Sequence, residues 1–439
     1  MALQIQIKKK YIAIKAYCVL MTMLIAARYL LKINVPSAAF LLAALIPVFF
    51  GSNSELLACV MSYIPLSIAF QYKYALLIAM AVMLLKNRWR MKAWYAFLLV
   101  LVMMAWELLH VGYGYFSITE YFRDFAELLF MGALLMIDVG ELDYKMIIRS
   151  VAVSVVGVCA VMFVMQLQQF HFDILALFSR SAAIWRFGQS NMDEGRFALN
   201  FNANNLGFIC NLAACSMLLM RKKKEYTVLD FILTMGAFVF AVMTLSRAAI
   251  VCMLMIIALY VFGGESKGLK RIIGILSMLI AVAIVAVALY TYVPAIFENL
   301  QERFDESDAW NGRSSLLTQY MKFLLMSPDH MLFGIGMQSM FEKVSSVIWV
   351  ADVPHNSLQE VVVAWGLPGL FVLFIWLGMI IRLSLVYSGK KRDTYQYMPL
   401  LLTVVYTMSG QLLTSSRALM ALSFSYICLC ITKSIGKMK

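Results

Sequence analysis

The sequence predicts an all-α, polytopic integral membrane protein with about 12–14 transmembrane helices and one large extracytoplasmic loop that contains amphipathic helices. Of its 439 residues, 63% are hydrophobic and only 14% are charged. The mean hydropathy of +0.82 excludes an ordinary soluble globular protein. Apolar runs of membrane-span length follow one another along the chain, and one long stretch, residues 294–360, interrupts them.

The first part of the chain predicts seven membrane spans. They cover residues 11–31, 36–50, 56–70, 72–85, 94–110, 117–137 and 147–168. The first span follows three lysines and has no small-residue cleavage motif, so we expect an uncleaved helix and not a signal peptide. The runs 36–50 and 72–85 are shorter than a typical span of about 17–25 residues, which leaves the helix count open by about two.

Seven more apolar runs follow. They cover residues 204–220, 228–245, 248–263, 271–293, 361–387, 395–414 and 417–433. The chain therefore divides into N-terminal transmembrane helices (1–168), transmembrane helices with an outer Arg- and Asn-rich loop and a Ser-Arg junction (169–293), the extracytoplasmic loop (294–360) and C-terminal transmembrane helices (361–439). A connection as long as this loop is usually functional.

The distribution of charge predicts the orientation of the chain. Basic clusters occur at residues 8–10, 86–92, 221–224, 267–271, 390–392 and 433–439. The positive-inside rule assigns these clusters to the cytoplasmic side. Residues 294–360 contain nine acidic and four basic residues, so we expect this loop outside. The net charge of +13 then reflects topology, and no nucleic-acid partner is expected.

Cysteine and histidine give no sign of a metal centre. The eight cysteines lie within or beside apolar spans, without the spacing of metal ligands or of paired loop positions for disulfides. The four histidines never come within helical i, i+4 spacing. We expect no metal and no cofactor, although carboxylates alone could still hold an ion.

Two arginines occupy positions where a charge is costly. Arg247 lies between two apolar runs with almost no loop between them, and Arg417 repeats the Ser-Arg-Ala pattern at a second junction. Alternation of the spans predicts that both junctions face outside. Ionisable residues at such depth are candidates for a functional site, and the alternative is an arginine that reaches the lipid headgroups.

An anion site is also expected where the eighth span begins. Arg196 precedes an Asn-rich segment in which Asn202 or Asn204 can cap the helix. The free N–H groups of a helix N-terminus and the guanidinium fork both suit phosphate oxygens.

Three features of the long loop are predicted from its sequence. Residues 314–326 carry Leu316, Leu317, Tyr320, Phe323 and Leu324 at helical spacing, which predicts an amphipathic helix on the membrane surface. Just before this helix, Arg313 follows a flexible Asn-Gly pair. Arg303 lies in the acidic stretch 301–308, which favours ion pairing, and residues 334–336 are predicted to form a mobile Gly-x-Gly turn.

His355 is the most informative residue of the loop. It lies between Pro354, which favours an extended backbone before it, and Asn356, which can cap the following helix. We expect His355 to serve as a base or a hydrogen-bond partner, and the alternative is a histidine that only anchors the span at the interface. His330, in a predicted turn, is expected to be dispensable.

These fragments, taken in order, resemble the O-antigen polymerase and O-antigen ligase superfamily of bacterial membrane glycosyltransferases. The resemblance covers about residues 196–370 and is carried by Arg196 with 202–207, 244–247, 312–313, 332–336, 355–357 and 365–370. It implies a multi-pass protein of the cytoplasmic membrane whose active site faces the outside or periplasm. It also implies metal-independent transfer from an undecaprenyl-diphosphate-linked oligosaccharide donor to an acceptor, with a chain-length regulator protein as a compatible partner.

The resemblance and the residues lead to one hypothesis. The protein polymerises lipid-linked oligosaccharide repeat units into a surface polysaccharide such as O-antigen, capsule or exopolysaccharide. The catalytic residues are then His355, Arg313 and Arg247, and the substrate-binding residues are Arg196, Arg417, Asn356, Asn202 and Arg303. Two alternatives stay open: ligase-type transfer of glycan to another acceptor, and a flippase or transporter for lipid-linked glycans.

Overall fold

The protein is described by a computed structural model, which covers residues 11–67, 70–87, 92–113, 116–139, 142–173, 187, 201–222, 226–262, 291, 313–350, 352–388, 394–408, 410–413 and 417–431. Every regular element within these ranges is helical, which confirms the predicted all-α fold class. Each predicted span has a helical counterpart except 271–293, which lies outside the described residues apart from Thr291.

The N-terminal helices correspond closely to the first seven predicted spans. They are α1 (Ile12–Ile25, continued by a π-helical turn at Ala26–Leu30), α2 (Ser37–Phe50), α3 (Asn53–Met61), α4 (Tyr63–Leu66), α5 (Tyr72–Asn87), α6 (Trp94–Leu108), α7 (Ile118–Met136) and α8 (Tyr144–Gln169). The predicted span 56–70 is not one helix, because a turn at Ser62 separates α3 from α4. Pro65 has no N–H to donate to the carbonyl of Met61, which explains the interruption.

The remaining helices build the second half of the bundle. They are α9 (Ala203–Lys222), α10 (Val228–Met243), α11 (Arg247–Phe262), α12 (Arg313–Met326), α13 (Pro328–Leu332), α14 (Met340–Ser345), α15 (Ser357–Ser388), α16 (Met398–Met408) and α17 (Ala418–Leu429). Helix α9 is the centre of this half, since it packs against α8, α10, α11 and α16.

Several of these helices have the length and composition of membrane spans. Among the described residues, five are long and apolar enough to cross a membrane: Ile12–Leu30, Trp94–Gly112, Tyr144–Gln168, Ala203–Met220 and Ser357–Val386. Shorter apolar helices cover Ser37–Phe50, Val228–Met243, Arg247–Tyr260 and Ala418–Leu429. The chain is a multi-pass membrane protein in which α9 is almost wholly enclosed by other helices.

The amphipathic helix predicted in the loop is present as α12. Its residues Leu316, Tyr320, Phe323 and Leu324 are buried, whereas Leu317 is exposed. The helix packs on α15, where the side-chain amide of Gln359 donates to the carbonyl of Leu317 over 2.8 Å. Helix α12 therefore lies directly beside the start of α15.

The prediction of a mobile turn at residues 334–336 is wrong. The N–H groups of Ile335 and Gly336 donate to the carbonyls of Val363 and Ala364 over 2.9 and 2.8 Å. Both carbonyls are available because α15 is kinked here and Pro368 has no N–H for the carbonyl of Ala364. The segment is thus fixed to α15 by backbone hydrogen bonds.

Gly366 forms the kink of α15. Its φ of 68° lies in the region that side chains disfavour, and a Cβ atom there would come within 2.4 Å of the carbonyl oxygen of Leu332. The absence of a side chain lets α15 approach the backbone of residues 332–333.

The expectation that His330 is dispensable for the reaction stays a prediction, but the structure gives this residue a packing role. Its ring stacks on Phe323 with ring centres 4.2 Å apart, and its Nδ1 lies 3.0 Å from the carbonyl oxygen of Phe323. His330 therefore holds α13 against α12, and its substitution is not a neutral control.

Candidate active site

Four segments that are distant in sequence meet around one cavity of about 110 Å³. They are the start of α9, the start of α11, the loop before α15, and the end of α16 with the segment that follows it. The lining residues are Asn202, Asn204, Asn205, Phe208, Ala248, Ala249, Cys252, His355, Val405, Tyr406, Gly410 and Gln411. The cavity thus combines Asn202 and His355 with the two residues that follow Arg247.

The asparagines at the start of α9 have structural roles as well as cavity-facing positions. The side-chain oxygen of Asn202 accepts from the N–H of Asn204 over 2.9 Å. Asn204 accepts from the hydroxyl of Ser246 over 2.6 Å, and Asn205 accepts from the hydroxyl of Tyr406 over 2.6 Å. These bonds join the start of α9 to α11 and α16, so Asn202 caps its helix as the sequence predicts.

The Ser-Arg junction is a tight turn between α10 and α11. Leu245 has a φ of 49°, and the hydroxyl of Ser246 accepts from the N–H of Ala249 over 3.3 Å. Gly207 allows α9 to approach this turn, since a Cβ there would lie 2.4 Å from the Cβ of Ala249. Arg247 becomes the first residue of α11 and is half-buried.

His355 lies half-buried at the edge of the cavity. Its Nε2 is 3.2 Å from Oδ2 of Asp352. The following residue, Asn356, caps α15 by accepting from the N–H groups of Leu358 and Gln359 over 3.0 and 3.2 Å, as the sequence predicts. The Asn356 amide also donates to the carbonyl of Met408 over 3.3 Å, so both ends of this side chain hold the His355 loop in place.

Tyr320 of α12 supports the same loop from the other side. Its hydroxyl donates to the backbone carbonyl of Asp352 over 3.0 Å. Burial raises the pKa of Tyr320, and the charge of Asp352 adds to this effect, so the hydroxyl stays protonated and available as a donor. The amphipathic helix therefore determines where Asp352 and His355 lie.

Arg417 is the most deeply buried of the predicted site residues whose side chains the structure describes. Its side chain is only 8% exposed, and its guanidinium carbon lies 4.5 Å from the centre of the Phe201 ring. Its buried Nε atom has no hydrogen-bond partner in the described part of the chain. Tyr72 and Glu127 are close enough to interact with it electrostatically. Buried arginines are normally hydrogen-bonded, so this one has unused capacity for a ligand.

The side chains of three arginines predicted for the site are not among the described parts of the structure. Arg196 and Arg303 lie outside the described residues. Arg313 is the first residue of α12, and only its backbone belongs to the described part of the chain. Their roles in the site stay predictions.

Sequence reasoning missed two buried glutamates that shape the site. Glu360 is fully buried, and its Oε2 accepts from the N–H groups of Leu412 and Leu413 over 2.6 and 2.9 Å, which positions the cavity wall at 410–411. Glu107 accepts from the N–H of Met337 over 2.8 Å and from the indole of Trp365 over 2.7 Å. The rule that singled out Arg247 could also have identified both glutamates, because an ionisable residue in an apolar span is a candidate for a functional or structural role.

Glu107 also influences the long loop electrostatically. The ammonium of Lys343 donates to the carbonyl of Ile335 over 2.8 Å. Burial lowers the pKa of Lys343, and the negative charge of Glu107 opposes this shift. The loop is therefore attached to α6 as well as to α15.

The cavity is suited to an anion next to a hydroxyl group. The N-terminal ends of α9 and α11 both border it, and free N–H groups at helix N-termini favour negative charge. The described residues that line it include no Asp or Glu. Within the described residues, no group of three His, Cys, Asp or Glu side chains is arranged to hold a metal ion.

Fold and site together define a multi-pass helical membrane protein with a histidine-containing polar cavity where several helices begin or end. Residues 232–374 match the O-antigen ligase family model, and this match supports membership of the O-antigen ligase and polymerase superfamily. The match includes Arg247 and His355 and agrees with the resemblance seen in the sequence. No curated protein sequence matches the chain.

Proposed function

We propose that the protein polymerises undecaprenyl-diphosphate-linked oligosaccharide repeat units into a surface polysaccharide on the outer face of the cytoplasmic membrane. The observation that carries this proposal is the convergence of His355 with the starts of α9 and α11 in one cavity. The family match supports O-antigen ligase- or polymerase-type chemistry in general.

The reaction transfers a glycan between two lipid-linked molecules. The oxygen of an acceptor hydroxyl bonds to the anomeric carbon of the donor glycan, and the bond from that carbon to the diphosphate breaks. The bonding electrons leave with the lipid diphosphate. Arg247, Arg313 and Arg196, with the two helix N-termini, stabilise the negative charge that develops on this leaving group. Arg417 has unused hydrogen-bonding capacity and belongs to the same binding set.

His355 takes the proton of the acceptor hydroxyl. With Nε2–H donating to Asp352, the lone pair of the neutral imidazole is on Nδ1, which can accept that proton. General-base assistance of this kind contributes about 10²–10⁴-fold to a rate. Asn202 and Asn356 serve mainly to hold the helix ends, and Arg303 stays a candidate sugar or phosphate ligand.

Two other functions remain as alternatives. A ligase would use the same donor chemistry but transfer the glycan to a different acceptor. A flippase would bind the same lipid but would be expected to carry its cations along a path across the membrane. The grouping of Asn202, His355 and the start of α11 around one cavity favours the enzyme over the flippase.

Reconstitution with purified lipid-diphosphate repeat units tests the proposal. We expect wild-type protein to extend chains and the His355→Ala, Arg247→Ala and Arg313→Ala variants to lose extension. Arg382→Ala is the matched arginine control, because Arg382 is exposed near the far end of α15. Unchanged extension in all three site variants would refute the mechanism. Transfer to an unrelated acceptor favours the ligase, and movement of lipid across vesicles without extension favours the flippase.

A further inference from the structure

A second polar cavity lies in the N-terminal half, outside the segment that matches the family model. It has a volume of about 430 Å³, against about 110 Å³ for the cavity at His355. Ligand pockets in proteins typically measure about 300–1,000 Å³. The cavity is formed where α1 ends and where α2, α5 and α7 begin. It therefore draws on four helices that the proposed reaction does not use.

Three of the ten described residues that line this cavity are cations. Arg28, Lys73 and Arg123 come from three different helical elements, and Asp124 is the one acidic residue among the described lining residues. Lys73 and Arg123 share one oxygen of Asp124, at 3.6 and 3.4 Å. Arg123 also lies 3.4 Å from a carboxylate oxygen of Glu120. Within the described residues, the ion pairs of Lys73 and Arg123 are with Asp124 and Glu120, and the guanidinium of Arg28 lies over the rings of Tyr29 and Phe40.

These cations lie at the end of the bundle opposite to the predicted cytoplasmic side, so the positive-inside rule does not explain them. Helix α5 carries Lys73 in its first turn, at the cavity, and Lys86 in its last turn, at the opposite end. Lys86 is part of one of the basic clusters that predict the cytoplasmic side. Cations that collect at the other side, around a cavity, are better explained by an anionic ligand than by topology.

The cavity is connected to the site described above. Tyr72 lines it and donates a hydrogen bond to buried Glu127. Tyr72 and Glu127 both interact electrostatically with Arg417, which in turn lies over the ring of Phe201 beside Asn202. The two cavities therefore lie at the same end of the bundle, with Arg417 between them.

We propose that this cavity is a second phosphate site, which holds the diphosphate of the acceptor while the His355 cavity holds that of the donor. The inference rests on the polymerase function proposed above. The acceptor reacts through a sugar at the end of its glycan far from its lipid, so its diphosphate must lie away from His355 by the length of the glycan. Serine, glutamine and tyrosine side chains beside the three cations supply further donors for phosphate oxygens.

Equilibrium binding of labelled undecaprenyl diphosphate to the full chain in detergent tests the site without catalysis. We expect wild type to bind two equivalents and the triple variant Arg28→Gln/Lys73→Gln/Arg123→Gln to bind one. The charge-matched control Lys15→Gln/Lys92→Gln/Arg382→Gln removes three exposed cations at the opposite end and should bind two. One equivalent in wild type, or two in the first triple variant, would overturn the proposal.

Competition distinguishes the source of the phosphate. Inorganic diphosphate should displace both equivalents from wild type, because both proposed sites recognise phosphate groups. Displacement by phosphatidylglycerol at equal concentration would instead mark a general phospholipid site and overturn the acceptor assignment. Each single variant should weaken the binding of the second equivalent: Arg28→Gln, Lys73→Gln and Arg123→Gln. These variants keep the test valid if the triple variant fails to fold.

Transfer assays separate this proposal from the proposed function. For the triple variant we expect the KM for a lipid-diphosphate-linked acceptor to rise about tenfold or more, equivalent to one lost charge-assisted hydrogen bond. The same oligosaccharide without its lipid diphosphate should be used equally by variant and wild type. Equal losses with both acceptors would contradict a diphosphate site. A wild type that binds two equivalents but extends neither acceptor would refute the polymerase function and leave the binding site standing.

Discussion

Glu107 offers the sharpest test of how the long loop is held over the membrane helices. This residue of α6 is only 3% exposed, and its carboxylate accepts from the N–H groups of Met337 and Gln338 and from the indole of Trp365. The contacts join residues more than 200 positions apart in the chain. Removing the carboxylate leaves three buried donors without an acceptor.

These contacts set the expected loss of stability when Glu107 is replaced. An unsatisfied buried donor costs about 1–3 kcal/mol, so Glu107→Ala should lower the free energy of unfolding by at least about 3 kcal/mol. Glu107→Gln retains one acceptor oxygen but loses the charge, and it should cost less than Glu107→Ala. The loop should also become more sensitive to protease in both variants, since Met337 and Gln338 lose their anchor.

Denaturant unfolding of the purified protein in micelles, combined in a double-mutant cycle with Trp365→Phe, measures the central contact. Phenylalanine keeps the buried ring but removes the indole N–H. A hydrogen bond to a charged group predicts a coupling energy of about 1.5–3 kcal/mol between Glu107 and Trp365. A coupling below about 0.5 kcal/mol would show that the carboxylate does not hold α15 and would refute this explanation of the loop's position.

Other predictions address the site. His355→Ala should reduce chain extension by about 10²–10⁴-fold while binding of the lipid diphosphate persists, and a proportional loss of binding would contradict a base. Arg417→Met should lower transfer. Its effect on thermal stability should be small, because removing a guanidinium with an unsatisfied Nε atom offsets the loss of the cation near Glu127; a large loss of stability would argue for a structural arginine. Gly366→Ala should prevent accumulation of folded protein in membranes, since the new Cβ would lie 2.4 Å from the carbonyl oxygen of Leu332; normal expression would refute the proposed close approach. A metal chelator should leave the transfer rate unchanged, and inhibition reversed by a divalent cation would contradict metal-independent catalysis.

Much of the fold follows from composition and local pattern. Apolar runs located the helices to within a few residues, because a membrane-spanning helix must satisfy its own backbone hydrogen bonds along an apolar length. The Asn202 and Asn356 caps and the amphipathic α12 were predictable for the same reason, since each depends on a few neighbouring residues. Pro65 shows the limit of prediction from hydropathy, because this proline divides an apolar run that is predicted to be one continuous helix.

The sequence alone determined that this is a helical membrane protein, which residues cap its helices, and that Arg247, His355 and Arg417 stand at helix junctions. Only the tertiary structure decided that residues 334–336 are fixed to α15, that His330 packs on Phe323, and that Glu107 and Glu360 hold distant backbone segments. Local patterns depend on neighbours along the chain. A buried carboxylate finds its donors across the bundle, and no spacing in the sequence records that pairing.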